Sequence, residues 1–336
     1  MIGVSHIGIA AGRGGGGVSV NPDFISTWDT TQAGSASDTV VLPLLSGGTY
    51  SGTIDWGDGN TSALSYANRT HVYAAGGTYT ITISGSDIQG WMFNNAGDYR
   101  KIIEVSNCGN LTLTTAYAFR GCSNLTSWTA TDAPTIATTD LQYTFDNSGI
   151  TTADFSQWDV SAVNNFNFLF NQTSFNGNIS TWVGSATSMR AFLRLNTAFN
   201  GEVNIDFSNV TDCRDTFNGA TSFNYPLVNV NSITLARYML YNADSYDQVL
   251  DFDVSSATDL RDLMSLATGL STANYDATLV AFEASLQAAY PSGVGYPHLI
   301  TTNFGGSTYT LGGAGEAART SLISTFGWTI TDGGGV

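Results

Sequence analysis

Apolar positions recur along the middle of the chain with a nearly constant step. One column runs Phe119, Phe145, Leu169, Leu193, Phe217, Leu240, Met264, and a second runs Leu125, Ile150, Phe175, Phe199, Phe223, Tyr246, Leu270. The second advances by 25, 25, 24, 24, 23 and 24 residues. Self-similarity at such a period marks a repeat architecture, in which each unit buries its apolar face only by stacking on the next. Within a unit, apolar residues fall at i, i+3 and i+7, as in Val210, Cys213, Phe217 and in Ala257, Leu260, Met264. That spacing predicts one face of a short helix. Ser161, Ser185, Ser208, Ser232 and Ser256 stand just ahead of these segments, where a hydroxyl would cap the first free N–H groups. Strand-like stretches such as FSQWDV, VNIDFS and VLDFDV alternate with them. Residues 89–272 are thus expected to form a solenoid, with one strand and one short helix per coil of about 24 residues.

The flanks carry different patterns. Residues 24–88 contain FISTWDTT, DTVVLPL, YSGTIDWGDG, THVYA and TYTITISG, short strands separated by turn residues at the spacing of a small β-sandwich. Residues 273–336 suggest an α+β cap over the last coil. YDATLVAFEASLQAAY predicts a helix with Leu279, Phe282 and Leu286 on one face. TTNFGGSTYTL predicts a strand or hairpin, GEAARTSLISTF a second helix, and GWTITDGG a closing strand. Residues 1–23 form a Gly-rich arm, expected to dock or tether the chain. Gly12, Gly14 and Gly17 spell G-x-G-x-x-G, but no helix pattern follows, so a dinucleotide site fails its context. The fold class is mixed and β-rich.

Charge narrows the function. Lys101 is the only lysine, and 11 Lys+Arg against 27 Asp+Glu leave a net charge of −16 over 336 residues. Such a chain has no basic surface with which to release phosphate counterions, which excludes nucleic acid as a partner. No apolar run is long enough to insert in a bilayer. Cys108, Cys122 and Cys213 cannot make a disulfide framework and are expected as small buried residues. The Gly, Thr, Ser and Asn content suits an outward-facing surface, yet the N-terminus lacks the basic region of a secretion signal. A protein assembled inside a cell and displayed outside it on a particle reconciles the two.

Specific motifs point the same way. IDWGDGN followed by THVYAAGGTYTITISG resembles the polycystic-kidney-disease (PKD) domain, a small β-sandwich of extracellular and surface proteins. AFRGCSNLTSW, FSQWDVSAVNNF and TFNGATSFN resemble the BspA-like leucine-rich-repeat surface proteins. That resemblance implies a leucine-rich-repeat-like solenoid behind a PKD-like module. It also implies an adhesive or surface-displayed protein of bacteria, protists or phage virions.

Candidate chemistry is sparse. Asp55, Asp58 and Asn60 offer hard oxygen ligands of the kind calcium takes. The preferred reading is that they cap their own turn, because no distant bidentate Glu completes a calcium loop. His71 is expected to pack beside Tyr73 and Tyr79. Arg190, Arg214, Arg237 and Arg261 form a column at steps of 24, 23 and 24. They suggest either a cationic track for an acidic polysaccharide or, preferably, a structural series neutralised by Asp212, Asp215, Asp259 and Asp262. Asn176, Asn200, Asn224 and Asp247 form a second polar column, expected to bond the backbone of the neighbouring coil. Asp251 and Asp253 are spaced for glycan hydrolysis but flank Phe252 as ordinary outward-facing acids. Trp128, Trp158 and Trp182 are either stacking surface or core.

The function expected is therefore non-enzymatic. The chain reads as a surface-exposed structural or adhesion protein, foremost a bacteriophage virion component such as a capsid decoration or tail fibre. Its partners would be other virion proteins through the arm, a host glycan or protein, and a second copy of itself. A bacterial cell-surface adhesin or filament subunit is the alternative, and a glycan depolymerase the third reading.

Overall fold

The structure is a computed structural model and describes residues 22–182, 186–227, 230 and 233–336. The arm up to residue 21, with its G-x-G-x-x-G stretch, lies outside the described residues, as do Ser185 and Ser232.

Ten strands precede residue 137: β1 (Phe24–Asp29), β2 (Thr39–Val41), β3 (Tyr50–Asp55), β4 (Thr61–Ala63), β5 (Thr70–Val72), β6 (Thr78–Gln89), β7 (Ile102–Asn107), β8 (Leu111–Leu113), β9 (Ser127–Trp128) and β10 (Thr135–Ile136). β1 alternates strictly, with Phe24, Ser26 and Trp28 buried. It lies antiparallel between β6 and β7 in an open sheet of order β10-β8-β6-β1-β7-β9, with β3 on β6 and β4 on β3. β2 and β5 form a separate antiparallel pair. Residues 24–88 therefore do not close into a sandwich of their own, because β7 to β10 continue their sheet. Gly52 (φ 151°) and Gly85 (φ 133°) let β3 and β6 approach at a bulge, where a Cβ on either would strike the other strand's backbone.

Lys101 is fully buried between this sheet and the 35–41 loop. Its Nζ donates to Ser35 O (3.1 Å), Ser35 Oγ (3.0 Å), Ala36 O (2.7 Å) and Thr39 O (2.8 Å). Asp98 stands 4.0 Å away and accepts from Ser35 N, Ser35 Oγ and Val41 N. Burial pushes the Lys101 ammonium below its usual range, and the Asp98 carboxylate opposes that shift.

The repeats are real, but they are not the expected coils. Among the described residues, 137–271 contain no α-helix and no strand beyond isolated bridges. The leucine-rich-repeat-like solenoid with a helix in every coil is thus overturned: the sheets are open, and each repeat is built from turns. Parallel bridges link residue 140 to 165, 165 to 188, 188 to 212, 212 to 235 and 235 to 259. The backbone explains the misreading. Thr144, Asp146 and Ser148 donate their N–H groups three residues back, to Leu141, Tyr143 and Phe145. Tyr143, Phe145 and Asn147, in alternation, donate to Asn167, Leu169 and Asn171 of the next repeat. An α-helix would spend every one of these donors along its own axis. The turns put apolar side chains inward at the same i, i+3 and i+7 positions, and both apolar columns are buried.

Alternation of hand is what frees those donors. Each repeat carries left-handed residues four apart: Tyr143 and Asn147, Phe168 and Gln172, Ala191 and Leu195, Tyr238 and Asn242, Asp262 and Leu266. Gly121 and Gly219 take the second position in their own repeats. A residue with a Cβ is strained there by roughly 1–2 kcal/mol, against a glycine entropy cost of roughly 0.5–1 kcal/mol. Leu266 (φ 61°) is also 66% exposed, so little packing depends on it. Leu266→Gly is expected to leave stability unchanged or raise it by up to about 1 kcal/mol, whereas β-branched Leu266→Val lowers it. Thermal unfolding of the two variants decides the matter; a clear loss with glycine contradicts the strain account.

Of the serines ahead of each repeat, the described Ser161, Ser208 and Ser256 do not cap helices, since no helix follows them. Asp159, Asp206 and Asp253 instead accept the N–H groups of Ser161, Ser208 and Ser255 in Asx turns. The polar column does bond the neighbouring repeat. Asn176 Oδ1 accepts from Asn200 N (3.0 Å), Asn200 Oδ1 from Asn224 N (3.0 Å), Asn224 Oδ1 from Asp247 N (2.9 Å), and Asp247 Oδ1 from Ser271 N (2.7 Å).

The last repeat is closed by α1 (Thr272–Ala289), β11 (Thr301–Asn303), β12 (Thr308–Tyr309), α2 (Ala314–Ser324), β13 (Thr329–Thr331) and β14 (Gly334–Gly335). Leu279, Phe282 and Leu286 of α1 are buried. β11 and β12 do not pair as a hairpin; each runs parallel to a later strand, β13 and β14 respectively. Met264 N, which would seek a further repeat, donates to Asn303 O of β11, and Leu250 N to Thr278 Oγ1 of α1.

Candidate functional site

The first left-handed position of each turn is part-exposed except at buried Ala191, and successive repeats align these residues in a column. Tyr117, Tyr143 and Phe168 stack at 5.4 and 4.6 Å with interplanar angles of 12° and 4°. Arg120 lies 4.4 Å over the Tyr143 ring and pairs with Asp146 (Nε–Oδ2 2.9 Å). Asn171 Nδ2 donates to the other Asp146 oxygen (2.7 Å), and Arg194 reaches Asn171 Oδ1 at 3.4 Å. Farther along, the column passes through Ala191 to Asp215, Tyr238 and Asp262. There a groove of about 490 Å³ opens between Arg194, Asp215, Asn218, Tyr238, Tyr241 and Asp262. The tyrosine rings meet edge to face at 5.4 Å.

The arginine column lies beside this groove, and the structure divides it. Arg214 forks onto Asp212 (2.9 and 2.7 Å) and Arg261 onto Asp259 (2.8 and 2.8 Å). Burial pushes the Asp212 carboxyl up, but the Arg214 hydrogen bonds outweigh it; the Arg261 fork holds Asp259 low. Arg190 and Arg237 follow Ser188 and Leu235 at the equivalent position and form no ion pair among the described residues. They lie over the rings of Phe168 (5.5 Å) and Tyr238 (5.3 Å). Asp215 does not pair with Arg214; its Oδ1 takes Asn218 Nδ2 at 2.7 Å.

The other sequence candidates lie elsewhere. Asp55 Oδ1 accepts from Gly57 N (2.9 Å), and Asp58 binds Asn60 N, Asn60 Nδ2 and His71 Nε2 (3.0, 3.0 and 2.9 Å). These oxygens serve the turn. Among the described residues, no group of three or more His, Cys, Asp or Glu side chains is placed to hold a metal ion. His71 stacks on Trp56 (4.8 Å) and meets Tyr73 edge-on (4.5 Å). Trp128, Trp158 and Trp182 are core, and the three cysteines are buried with their thiols pushed upward by desolvation. Asp251 and Asp253 are exposed on either side of buried Phe252.

Asp58 carries a pH prediction. Burial raises its carboxyl, but the His71 and Asn60 donors outweigh that and hold it at about 2, against an ordinary value of 3.8. The folded value lies below the unfolded one, so ionised Asp58 stabilises the fold above about pH 4 and loses that contribution as pH falls through about 2. The stability gap between wild type and Asp58→Ala, present at neutral pH, is expected to close by about pH 2 in acid-denaturation curves. A carboxyl resonance titrating in the ordinary range contradicts it.

Residues 89–204, 139–250 and 183–277 each match the family described as Mycoplasma protein of unknown function, DUF285. Together these matches run from residue 89 to 277, more than half of the chain. The chain belongs to the DUF285 family. Successive DUF285 matches start 50 and 44 residues apart, two repeat steps each time, so the family unit comprises several of these turn-built repeats. The DUF285 match agrees with the BspA-like character of the repeat motifs and leaves residues 24–88 outside it. A search of curated proteins finds no match, and a search of solved structures finds none. Among the described residues, no helix is long and apolar enough to cross a membrane.

The residues of this face that sequence reasoning did not single out are Tyr143, Phe168, Arg194, Tyr238 and Tyr241, and it read Asp262 only as a partner of the arginine column. Their signal was present. Tyr143, Tyr238 and Asp262 each stand two places before a residue of the buried column, and Phe168 one place before it, at the same period of about 24 residues. A helical reading of the segment spreads these positions around a cylinder and hides the shared face.

Proposed function

We propose that this chain is a non-enzymatic, surface-displayed adhesion protein that offers the outer column of its turns to a glycan or protein on a host cell. The observation that supports this best is the outer face itself. It repeats rings and hydrogen-bonding groups at a fixed step, with the aromatic stack Tyr117–Tyr143–Phe168 at one end and the tyrosine-walled groove at the other. Rings with a polar handle are the side chains that suit a half-wet recognition surface. The BspA-like family character and the PKD-like motifs of residues 24–88 support surface display by resemblance. A depolymerase draws less support, since Asp253 spends Oδ1 on the Ser255 N–H.

Two settings fit this reading. The first is a bacteriophage virion, with the Gly-rich arm docking on other virion proteins. The second is a bacterial cell-surface adhesin or filament subunit, which the bacterial genus in the family description favours. Peptide mass spectrometry on density-banded particles and on envelope fractions of the source culture separates them. The adhesion reading itself is tested by binding of the fluorescent full chain to host cells and to immobilised host glycans. Retention above a scrambled-surface control is expected, and its absence on every surface overturns the reading.

A further inference from the structure

We infer that the groove between Arg194 and Asp262 binds an uncharged sugar residue of a surface glycan, an assignment that rests on the adhesion reading above. The groove's volume, about 490 Å³, falls within the range of small-molecule sites. Its polar groups are largely unspent. Among the described residues, the Asp262 carboxylate and the Tyr238 and Tyr241 hydroxyls make no hydrogen bond, and the Arg194 guanidinium makes one long contact, to Asn171 at 3.4 Å. Asp215 commits one oxygen, to Asn218. Acceptors, donors and two aromatic walls therefore converge on one space.

That set matches a pyranose better than the competing ligands. Sugar hydroxyls donate and accept at once, so carboxylates and a guanidinium that line the same groove are both satisfied. The C–H face of the ring packs against a tyrosine plane. A polyanion meets the Asp215 and Asp262 carboxylates here against the Arg194 guanidinium; of the neighbouring arginines, Arg214 and Arg261 are forked to Asp212 and Asp259, and Arg237 lies over the Tyr238 ring. An apolar ligand would desolvate these groups without replacing their bonds to water. Beyond buried Ala191 the column resumes with Phe168, Tyr143 and Tyr117, which gives an extended chain further rings to lie on.

The test uses the full chain with neutral gluco-, manno- and galacto-oligosaccharides as probes, and polygalacturonate and heparin as charged counterparts, read by saturation-transfer NMR and titration calorimetry. At least one neutral oligosaccharide is expected to bind. Tyr238→Ala and Asp262→Asn are each expected to weaken it about tenfold or more, about 1.4 kcal/mol at 25 °C, with Asp251→Asn unchanged. Unfolding midpoints accompany each variant, and Asp262→Asn, which keeps its volume, carries the test if Tyr238→Ala fails to fold. Binding of the polyanions alone overturns the assignment. Neutral-sugar binding that survives both groove variants also overturns it, and leaves the adhesion reading standing. A chain that binds none of these probes and no host cell overturns both.

Discussion

Lys101→Met is expected to lower the free energy of unfolding by about 3–5 kcal/mol, one of the two largest single-residue effects in this protein. The side chain is fully buried, and its ammonium is the donor shared by four oxygens of the 35–41 loop. Methionine fills the space but leaves three carbonyl oxygens and the Ser35 hydroxyl short of that donor. It also leaves Asp98, 1% exposed, as a buried carboxylate without its cation. Unpaired buried charge is what makes breaking such a pair costly, more than any net gain from forming it. Two measurements check this. Denaturant unfolding should show the loss, and Lys101→Met combined with Asp98→Asn, which removes the buried charge but keeps an acceptor oxygen for the Ser35 and Val41 donors, should lose less than Lys101→Met alone. A single-variant loss under about 1 kcal/mol would mean that the network contributes little.

Phe145→Ala should cost about 3–5 kcal/mol as well, through a cavity rather than a charge. The Phe145 ring lies 5.1–5.8 Å from Phe119, Trp128, Phe155, Trp158 and Phe170, so its removal opens a void where three successive repeats meet. Those neighbours are rings from different repeats, each held by its own backbone bonds, and they cannot collapse inward together. Repeats contact chiefly their sequence neighbours, so the damage should uncouple the β-sheet end from the capped end. The expected readout is a lower midpoint together with a shallower or two-phase denaturant transition. A sharp transition at the wild-type midpoint contradicts this account of the core.

Much of the molecule was legible before its structure. The two apolar columns are the core, the Asn176–Asn200–Asn224–Asp247 column bonds the next repeat, and the α1 and α2 patterns became helices. These features depend only on which side chains shun water and on where a hydrogen-bonding group must stand at each step. The hand of the backbone was not legible. Tyr143, Phe168, Leu195 and Leu266 hold positive φ, and no residue preference marks them for it, because such residues avoid that region in isolation. Only the bonds to the adjoining repeat, with alternate N–H groups turned outward, outweigh that strain.

The groove follows the same division. Arg194, Asp215, Tyr238 and Asp262 stand 21, 23 and 24 residues apart and have no local relation to one another. The sequence by itself determined that repeats of about 24 residues exist, which residues they bury, and that the surface is acidic and rich in hydroxyls and amides. The tertiary structure alone decided that each repeat is a run of turns rather than a helix, and so which residues share the outer face. Inward burial satisfies either backbone equally well, and the choice between them rests on hydrogen bonds that exist only once the next repeat is in place.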